Sequence, residues 1–561
     1  MRRSAVRAVA ALILVAITLT GCIGIPRSGP VNNGRPFAAE DSLELDIIVP
    51  GPMKDATQQQ ILDGFIEAAQ SPRNNYQVAR EFLTPTFSGQ WEADRGATVD
   101  VRALRTRQQV DETSTRVLAT PVAALTVSGQ YENPSSSAVI PLAYHFEKVQ
   151  GQWRIAEAPP GILIDEISFY EVFRPYPLYF FDPSYRYLVP DLRWFAGRDS
   201  VQTNIVMALL AGPSEWLAPG VISAFSEGVR LIPMSVPVAG RVASVNLVGE
   251  SADDAITVQR MRAQITASLA AVRRVDGVSL KIAGVTQDVP DPPTPPATAP
   301  PAESRPLVGR GDVFGYLATT GNQVTPLPEV SSQVMKLAPT SVAVGTNAQA
   351  FAVQSPIGVS LVRVGAAPVL LDSRPHLVAP VLDNQHIVWS VPENAPTDLL
   401  WYSREGKSTA ITVPWTGTRI VAIQMSSDGT RLAALVSDGL ATQLVVVAVA
   451  RSATGEPIKL GQTLQRFPTI ANNPVSLAWL DANTVAVLST TPSGSTKITT
   501  QVLGGVATVR SGPDGGVVVL VGNGMQGVRV LTTTGDLDAP SGVGWQVVAS
   551  GIRFASTQPG S

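Results

Sequence analysis

The sequence carries one cysteine, Cys22, and three histidines among 561 residues. A lone thiol excludes a disulfide within the chain, and domains of ordinary size do without one because they bury enough apolar surface. His145 has Glu147 two residues away, and His386 has Asp383 three away. Neither pair gains a second histidine or a cysteine, and His376 stands apart, so the spacing holds no metal-ligand cluster. His145 lies between Tyr144 and Phe146 in strand-like alternation and reads as a strand residue, not a catalytic base. No His-Glu-x-x-His helix, Gly-x-Ser-x-Gly elbow or P-loop occurs. The Asp253–Asp254 pair sits at a helix start, where the dipole favours negative charge. Asp165 and Glu166 are neighbours in the chain, so a strand would point them to opposite faces. Neither pair has the geometry of a glycosidase. The expectation is a protein that is not an enzyme, with no cofactor and no metal. Lysine and arginine number 42 against 45 aspartate and glutamate, a net charge of −3. That balance gives no electrostatic case for a nucleic-acid partner.

What is present begins at the N-terminus. Arg2, Arg3 and Arg7 precede an apolar run over residues 8–20, shorter than the roughly 20 residues of a spanning helix. Gly21 and Cys22 follow. The motif "LTGC" (residues 19–22) resembles the lipobox of bacterial lipoproteins. The resemblance implies a signal peptide over 1–21, cut between Gly21 and Cys22. It also implies an S-diacylglycerol on the Cys22 thiol and an acyl group on the new amino terminus. Each buried methylene contributes about 0.8 kcal/mol, so two long chains contribute on the order of 20 kcal/mol before entropy costs. The place implied is the extracytoplasmic face of the cell membrane, through the lipid anchor. Residues 22–36, with Gly24, Gly29 and Gly34, read as a tether.

Residues 37–168 follow as an α+β segment. Ile61, Phe65 and Ala69 recur at four-residue spacing and predict a helix over 57–70. Tyr76, Ala79, Phe82 and Leu83 predict a second over 75–83, ended by Pro85. Strands are expected over 115–127, 138–149 and 152–156, with a hairpin turn at Gly151. Helices followed by a curved antiparallel sheet resemble the nuclear-transport-factor-like cone. Residues 169–288 open with "LYFFDPSYRYLVPDLRWF" (178–195), two strands joined at Asp182-Pro183-Ser184. Asp199 or Ser200 caps a helix through Val201, Ile205, Val206, Leu209 and Leu210. A strand over 242–248 precedes a capping box at Ser251 and Asp254 and a helix with the stripe Met261, Ile265, Leu269 and Val272. "YFFDP", "ALLAGPSE", "AFSEGVRL" and "QITASLAAVRRVDGV" together resemble the GerMN domain of spore-germination and envelope proteins.

Residues 289–306, "VPDPPTPPATAPPAESRP", favour polyproline II and read as a linker, either a spacer or a long surface loop. From 307 to 561 the pattern strand–turn–strand recurs, in "SVAVGTNAQAFAV", "LVAPVLDNQHIVWSV", "IVAIQMSSDGTRLAALV", "VSLAWLDANTVAVLS" and "VATVRSGPDGGVVVLV". Asp-Gly turns fit hairpins, and units at about 30–55 residues are the spacing of propeller blades. About six blades are expected; seven or an incomplete ring also fits. Residues 312–319 are expected to pair with 545–555 and close the ring, because closure removes exposed edges. The fold class is therefore multi-domain: an α+β N-terminal region, cone plus GerMN-like domain, and then an all-β propeller.

Aromatic residues concentrate between Tyr170 and Phe195. They serve either as core and domain packing or as an exposed recognition patch through Tyr176, Tyr179, Tyr185, Tyr187 and Trp194. The patch requires solvent-exposed rings. The whole order of lipobox, cone-like domain, GerMN-like domain and propeller resembles the LpqB-type lipoproteins of actinobacteria. That resemblance implies an accessory of the MtrA–MtrB two-component system. Its partner would be the extracytoplasmic domain of an MtrB-like sensor kinase, in cell-wall and division signalling. The alternative is a protein or enzyme acting on cell-wall glycan or lipid through the cone pocket or the propeller channel.

Overall fold

The helix predicted near residue 60 starts where its cap dictates. In the computed structural model, Thr57 accepts from the Gln60 amide and the Gln60 side chain returns to the Thr57 amide, opening helix Gln58–Ala68. The structure describes residues 49–561 apart from 135–137, 198–199, 250–253, 299–304, 320–321, 471, 522–526 and 559–561. Gly21, Cys22, the tether and the expected caps at Asp199 and Ser251 lie outside the described residues.

Ile61, Leu62, Phe65 and Ile66 turn inward from the first helix. The second forms over Gln77–Glu81 only. Pro85 does not end it but opens a further helix, Pro85–Gln90, capped by Thr84. Proline fits the first helical position because its missing N–H would have no partner there. The single strand expected over 115–127 is two, in different sheets. Ser114–Ala119 joins Thr106–Gln109, Ile140–Val149 and Gln152–Glu157, whereas Pro121–Thr126 joins Tyr131–Glu132, Gly96–Asp100 and Ile162–Asp165. Pro121 has no N–H with which to continue the first ladder. The expected strand placement of Asp165 and Glu166 also changes. Asp165 ends a strand and caps helix Glu166–Val172, accepting from the amides of Ile167 and Ser168 at 3.2 and 3.1 Å.

The second domain begins with a long hairpin, Phe173–Phe181 against Leu188–Ala196. Its sheet pairs Arg230–Leu231, Val242–Val248, Gly277–Ile282 and Val285–Thr286, with Val238–Ala239 also along Val242–Val248. Val242–Val248 and Gly277–Ile282 run parallel, so the chain must cross over between them. Helix Ala255–Leu269 makes that crossing, capped by Asp254, with Met261, Ile265 and Leu269 buried. The proline-rich segment is docked at one point. Leu188 N–H donates to the Ala297 carbonyl at 2.8 Å, and Ala297 N–H donates to Arg186 at 2.9 Å.

Among the described residues, the last region has six sheets of at least four strands. Their first strands, Ser341–Val344, Val381–Leu382, Arg419–Met425, Asn473–Trp479, Gly516–Val521 and Ile552–Ser556, abut in a closed ring. We number the blades 1 to 6, blade 1 holding Ile552–Ser556 together with Leu307–Arg310, Val313–Leu317 and Val324–Pro326. The ring closes, but through a different strand than expected. Ile552–Ser556 pairs with Leu307–Arg310, and Val313–Leu317 lies one strand further out. "VATVRSGPDGGVVVLV" is not a hairpin: Ala507–Ser511 is the outer strand of blade 5, and Gly516–Val521 is the inner strand of blade 6. Periodicity alone does not separate a turn within a sheet from a step between sheets.

Candidate functional site at the domain junction

The hairpin singled out by its aromatic residues is where the three domains meet. Tyr187 and Trp194 are each 6% exposed. Tyr176, Tyr179 and Tyr185 are half-buried against the core of the second domain. An exposed recognition patch is thus ruled out for these five rings; their area is already used in packing. The Trp194 ring packs at a tilt against the first domain, its centre 5.1 Å from that of Phe169 and 5.8 Å from that of Tyr131. Its indole N–H donates to the Gly504 carbonyl of blade 5 at 2.7 Å. The Tyr187 ring reaches the Asn384 side chain of blade 3, and burial raises the Tyr187 pKa, as it does for Tyr176 and Tyr179. Tyr185 faces Arg260, whose guanidinium sits 3.5 Å from the ring centre.

Asp191 and Arg193 lie two apart on one strand, so they face the same side. The Arg193 guanidinium donates to the Asp191 carboxylate at 2.7 Å and to the Ser128 carbonyl of the first domain at 2.9 Å. Asp191 also accepts from the amide and hydroxyl of Ser214 at 2.7 and 3.0 Å. These groups border a cavity of about 40 Å³ lined by Gln130, Glu132, Asp191, Trp216, Gln465 and Gly504, residues of all three domains. At Gly220 the backbones of the second domain and blade 4 touch. A Cβ there would lie 2.8 Å from the Thr430 carbonyl and 3.3 Å from the Ala448 side chain. Only glycine permits that approach.

On the adjoining loops, polar groups tie blade to blade. Asp383 of blade 3 accepts from Trp389 at 3.1 Å and from Arg451 of blade 4 at 2.6 Å. Arg431 pairs with Asp428 and donates to the Ala482 carbonyl of blade 5 at 2.7 Å. Burial by itself would raise the Asp428 pKa, but the Arg431 guanidinium and the hydroxyls of Thr430 and Ser426 hold it below the ordinary carboxylate value. His386 hydrogen-bonds Thr346 of blade 2 at 3.0 Å, and burial and Arg404 lower its pKa. His145 meets the Ser114 hydroxyl at 3.2 Å. Among the described residues no group of three or more His, Cys, Asp or Glu is placed to hold a metal, and no helix is long and apolar enough to cross a membrane. The cone's interior pocket, between Phe65, Leu142, Tyr144 and Ile162, has about 20 Å³. That is room for about one water and not for a sugar ring.

Sequence reasoning placed the aromatic hairpin but missed Gly220, Gly504 and the Asp–Arg pairs. The i, i+2 spacing of Asp191 and Arg193 was the available signal. Gly220 and Gly504 carried none.

An N-terminal α/β domain, a Germane-type domain and a closed propeller, joined through buried seams, define a multi-domain protein. The comparisons make the class particular. Residues 51–170 match the family "Lipoprotein LpqB, N-terminal domain", 177–288 match "Sporulation and spore germination", and 315–557 match "Lipoprotein LpqB beta-propeller domain". The chain is similar to the Lipoprotein LpqB of Rhodococcus jostii (strain RHA1), 30% identical over 44% of this chain and 42% of that protein. It matches the one from Corynebacterium diphtheriae at 27% identity over 89% of both chains, and that from Bifidobacterium longum at 26% over 88% and 87%. The first of these matches spans less than half of the relative's length. In domain content and order this chain belongs to the LpqB lipoprotein family.

Proposed function

We propose that this chain is a lipid-anchored extracytoplasmic protein that binds an MtrB-like sensor kinase on its extracytoplasmic domain and modulates envelope and division signalling. The observation that carries the reading is the junction. Three domains are fixed to one another by Trp194, Arg193 and Gly220, which turns them into one extended surface. The described pockets are too small for an organic substrate, and no set of nucleophile, base and oxyanion donors converges on them. Such a body works by contact. Family membership supports the anchor, and the resemblance of residues 19–22 to a lipobox points to Cys22 as its site.

The test is chemical cross-linking in membranes that hold the full anchored chain, followed by identification of partners. The expected outcome is a dominant adduct with the sensor kinase, lost when Cys22→Ser releases the chain from the membrane. Recovery of peptidoglycan fragments by the soluble region, with no kinase adduct, would overturn it in favour of glycan binding.

A further inference from the structure

Closing the ring leaves one free edge per blade, along the outermost strand. Such an edge is a row of N–H and C=O groups that invites pairing with another chain, and short strands, proline, charge and bulges are what prevent it. Blade 1 ends in Val324–Pro326 and blade 3 in Ser408–Ala410, three residues each, and Pro326 has no N–H to offer. Blade 2 ends in the four residues Val369–Asp372, with a bulge opposite Val359 and Ser360. Blade 4 ends in Pro457–Leu460, which opens on proline and carries Lys459. Blade 5 ends in Ala507–Ser511, with Arg510 in it.

Blade 6 differs. Its outer strand, Gly544–Ala549, is the longest of the six at six residues and contains neither charge nor proline. The whole stretch 539–552 holds no charged side chain. One bulge falls between Val547 and Ala549, so 544–547 stays regular. Val543 and Gln546 are exposed, and Val547 is 57% exposed. Among the described residues the backbone of 544–548 hydrogen-bonds to Leu537–Ser541 alone. The strand is also held in place, because the Trp545 indole N–H donates to the Ser511 carbonyl of blade 5 at 3.0 Å.

We propose that this edge pairs with the same edge of a second copy of the chain. The two strands run antiparallel about a two-fold axis at Gln546 and join two four-stranded blades into one continuous sheet. Ala549 is 2% exposed, so the accessible part of the strand is 544–548, and Gln546 is its midpoint. That register sets Gln546 against the partner's Gln546, amide to amide, and Trp545 against the partner's Val547. An aromatic ring opposite a β-branched residue is a favourable cross-strand pair, and no like charges meet. The same lack of charge selects a second copy over a different protein. An edge specific for a foreign strand gains its discrimination from charges that complement that strand, and this edge has none. A neutral edge with a polar amide at its midpoint is its own complement. Five residues a side is far less than a standard interface, so the contact is weak and reversible.

The test is energy transfer between full chains in vesicles, half carrying a donor and half an acceptor fluorophore at the C-terminus. The unsubstituted chain is expected to show transfer above that of chains mixed at random. Gln546→Lys sets like charges opposite each other, as does Gln546→Glu, and each alone is expected to lower the excess transfer about fivefold. Donor chains with Gln546→Lys mixed with acceptor chains with Gln546→Glu are expected to regain it, which a misfolded variant could not do. Thr409→Lys, on the outer strand of blade 3, is expected to leave it unchanged. Three results would each overturn the proposal. They are no excess transfer in the unsubstituted chain, an excess that survives in both single variants, and a charge-swapped mixture that regains nothing. Cys22→Ser chains at high concentration in solution are expected to give the same ranking by sedimentation equilibrium. Neither a kinase nor the anchor enters that second measurement, so this pairing and the proposed function can fail separately.

Discussion

In the cone the buried interior is ring against ring. Phe65 packs on Trp91 at 4.9 Å, Tyr76 reaches Trp91 at 5.8 Å, and Phe169 stacks on Phe173 at 5.1 Å. In the propeller the layers between blades are mostly Val, Leu, Ile and Ala, with rings at a few places such as Trp389, Trp415 and the Phe314–Phe351–Phe554 group, and the polar seams are Asp–Arg pairs such as Asp383–Arg451 and Asp428–Arg431. Large rings fill an irregular cone interior from few positions. Small aliphatics suit blades that repeat a flat packing surface. The difference is also one of connectivity. The first domain closes across at most about a hundred residues, as where Asp55 meets Gln152, 97 residues on, whereas the ring closes only when Ile552–Ser556 reaches Leu307–Arg310. Phe554 makes that closure: its ring lies over Gly309, where a Cβ would be 2.1 Å from it, and beside Phe314 at 5.7 Å.

If closure is what stabilises the propeller, Phe554→Ala has the largest effect. We expect a loss of about 3–5 kcal/mol, read as an early propeller transition in denaturant melts, with the cone's aromatic near-UV signal outlasting it. One coincident transition would show instead that the seams make the two regions a single cooperative unit. Asp383→Ala comes next. It leaves the Arg451 guanidinium buried without its carboxylate, at a cost of about 3 kcal/mol by chemical denaturation, and Asp383→Asn recovers part of it. If Asp383→Ala costs no more than an exposed pair such as Arg241–Asp276, the Asp–Arg seams are not what joins the blades. Trp194→Phe keeps the ring in the cone and deletes the bond to Gly504. About 1–2 kcal/mol is expected, with faster amide exchange at residues 503–506 as the specific reading. Unchanged exchange there would mean that the aromatic packing alone holds the junction.

Acid has the smallest effect near neutrality. The Asp428 and Asp372 carboxyls are held below their ordinary values, so each contributes stability that is complete above the unfolded pKa of about 3.9 and lost as pH falls through the lower folded value. Thermal stability is expected to decline slightly below about pH 6.5, where the lowered His386 pKa makes the unfolded chain take up the proton first, and to fall more steeply below about pH 4 as these carboxyls titrate. In Asp428→Asn the fall is shallower, because one titrating pair is gone. An identical slope would remove Asp428 from the acid response.

Much of the fold was legible in the sequence because period and punctuation are local. The helix carrying Ile61 and Phe65, the hairpin around Asp182–Ser184 and the stripe Met261, Ile265, Leu269 all formed where spacing placed them. Misreadings fell where two elements of the same type adjoin. Pro121 separates two strands that share one apolar run, and Pro513–Gly515 separates two blades with the chemistry of a hairpin turn. Pairing partners distant in the chain decide both cases, and no local signal reports them. The aromatic window was located correctly, yet its role depended on exposure. Gly504 and Ser128 arrive from 310 and 65 residues away to cover it.

The sequence by itself determined the anchor motif at Cys22, the order of the domains and the repeat that makes a propeller, since each is written in neighbouring residues. Only the tertiary structure decided which strand closes the ring and that the aromatic hairpin is a seam. Those outcomes depend on which surfaces remain after distant segments have packed, and burial is a property of the packed whole.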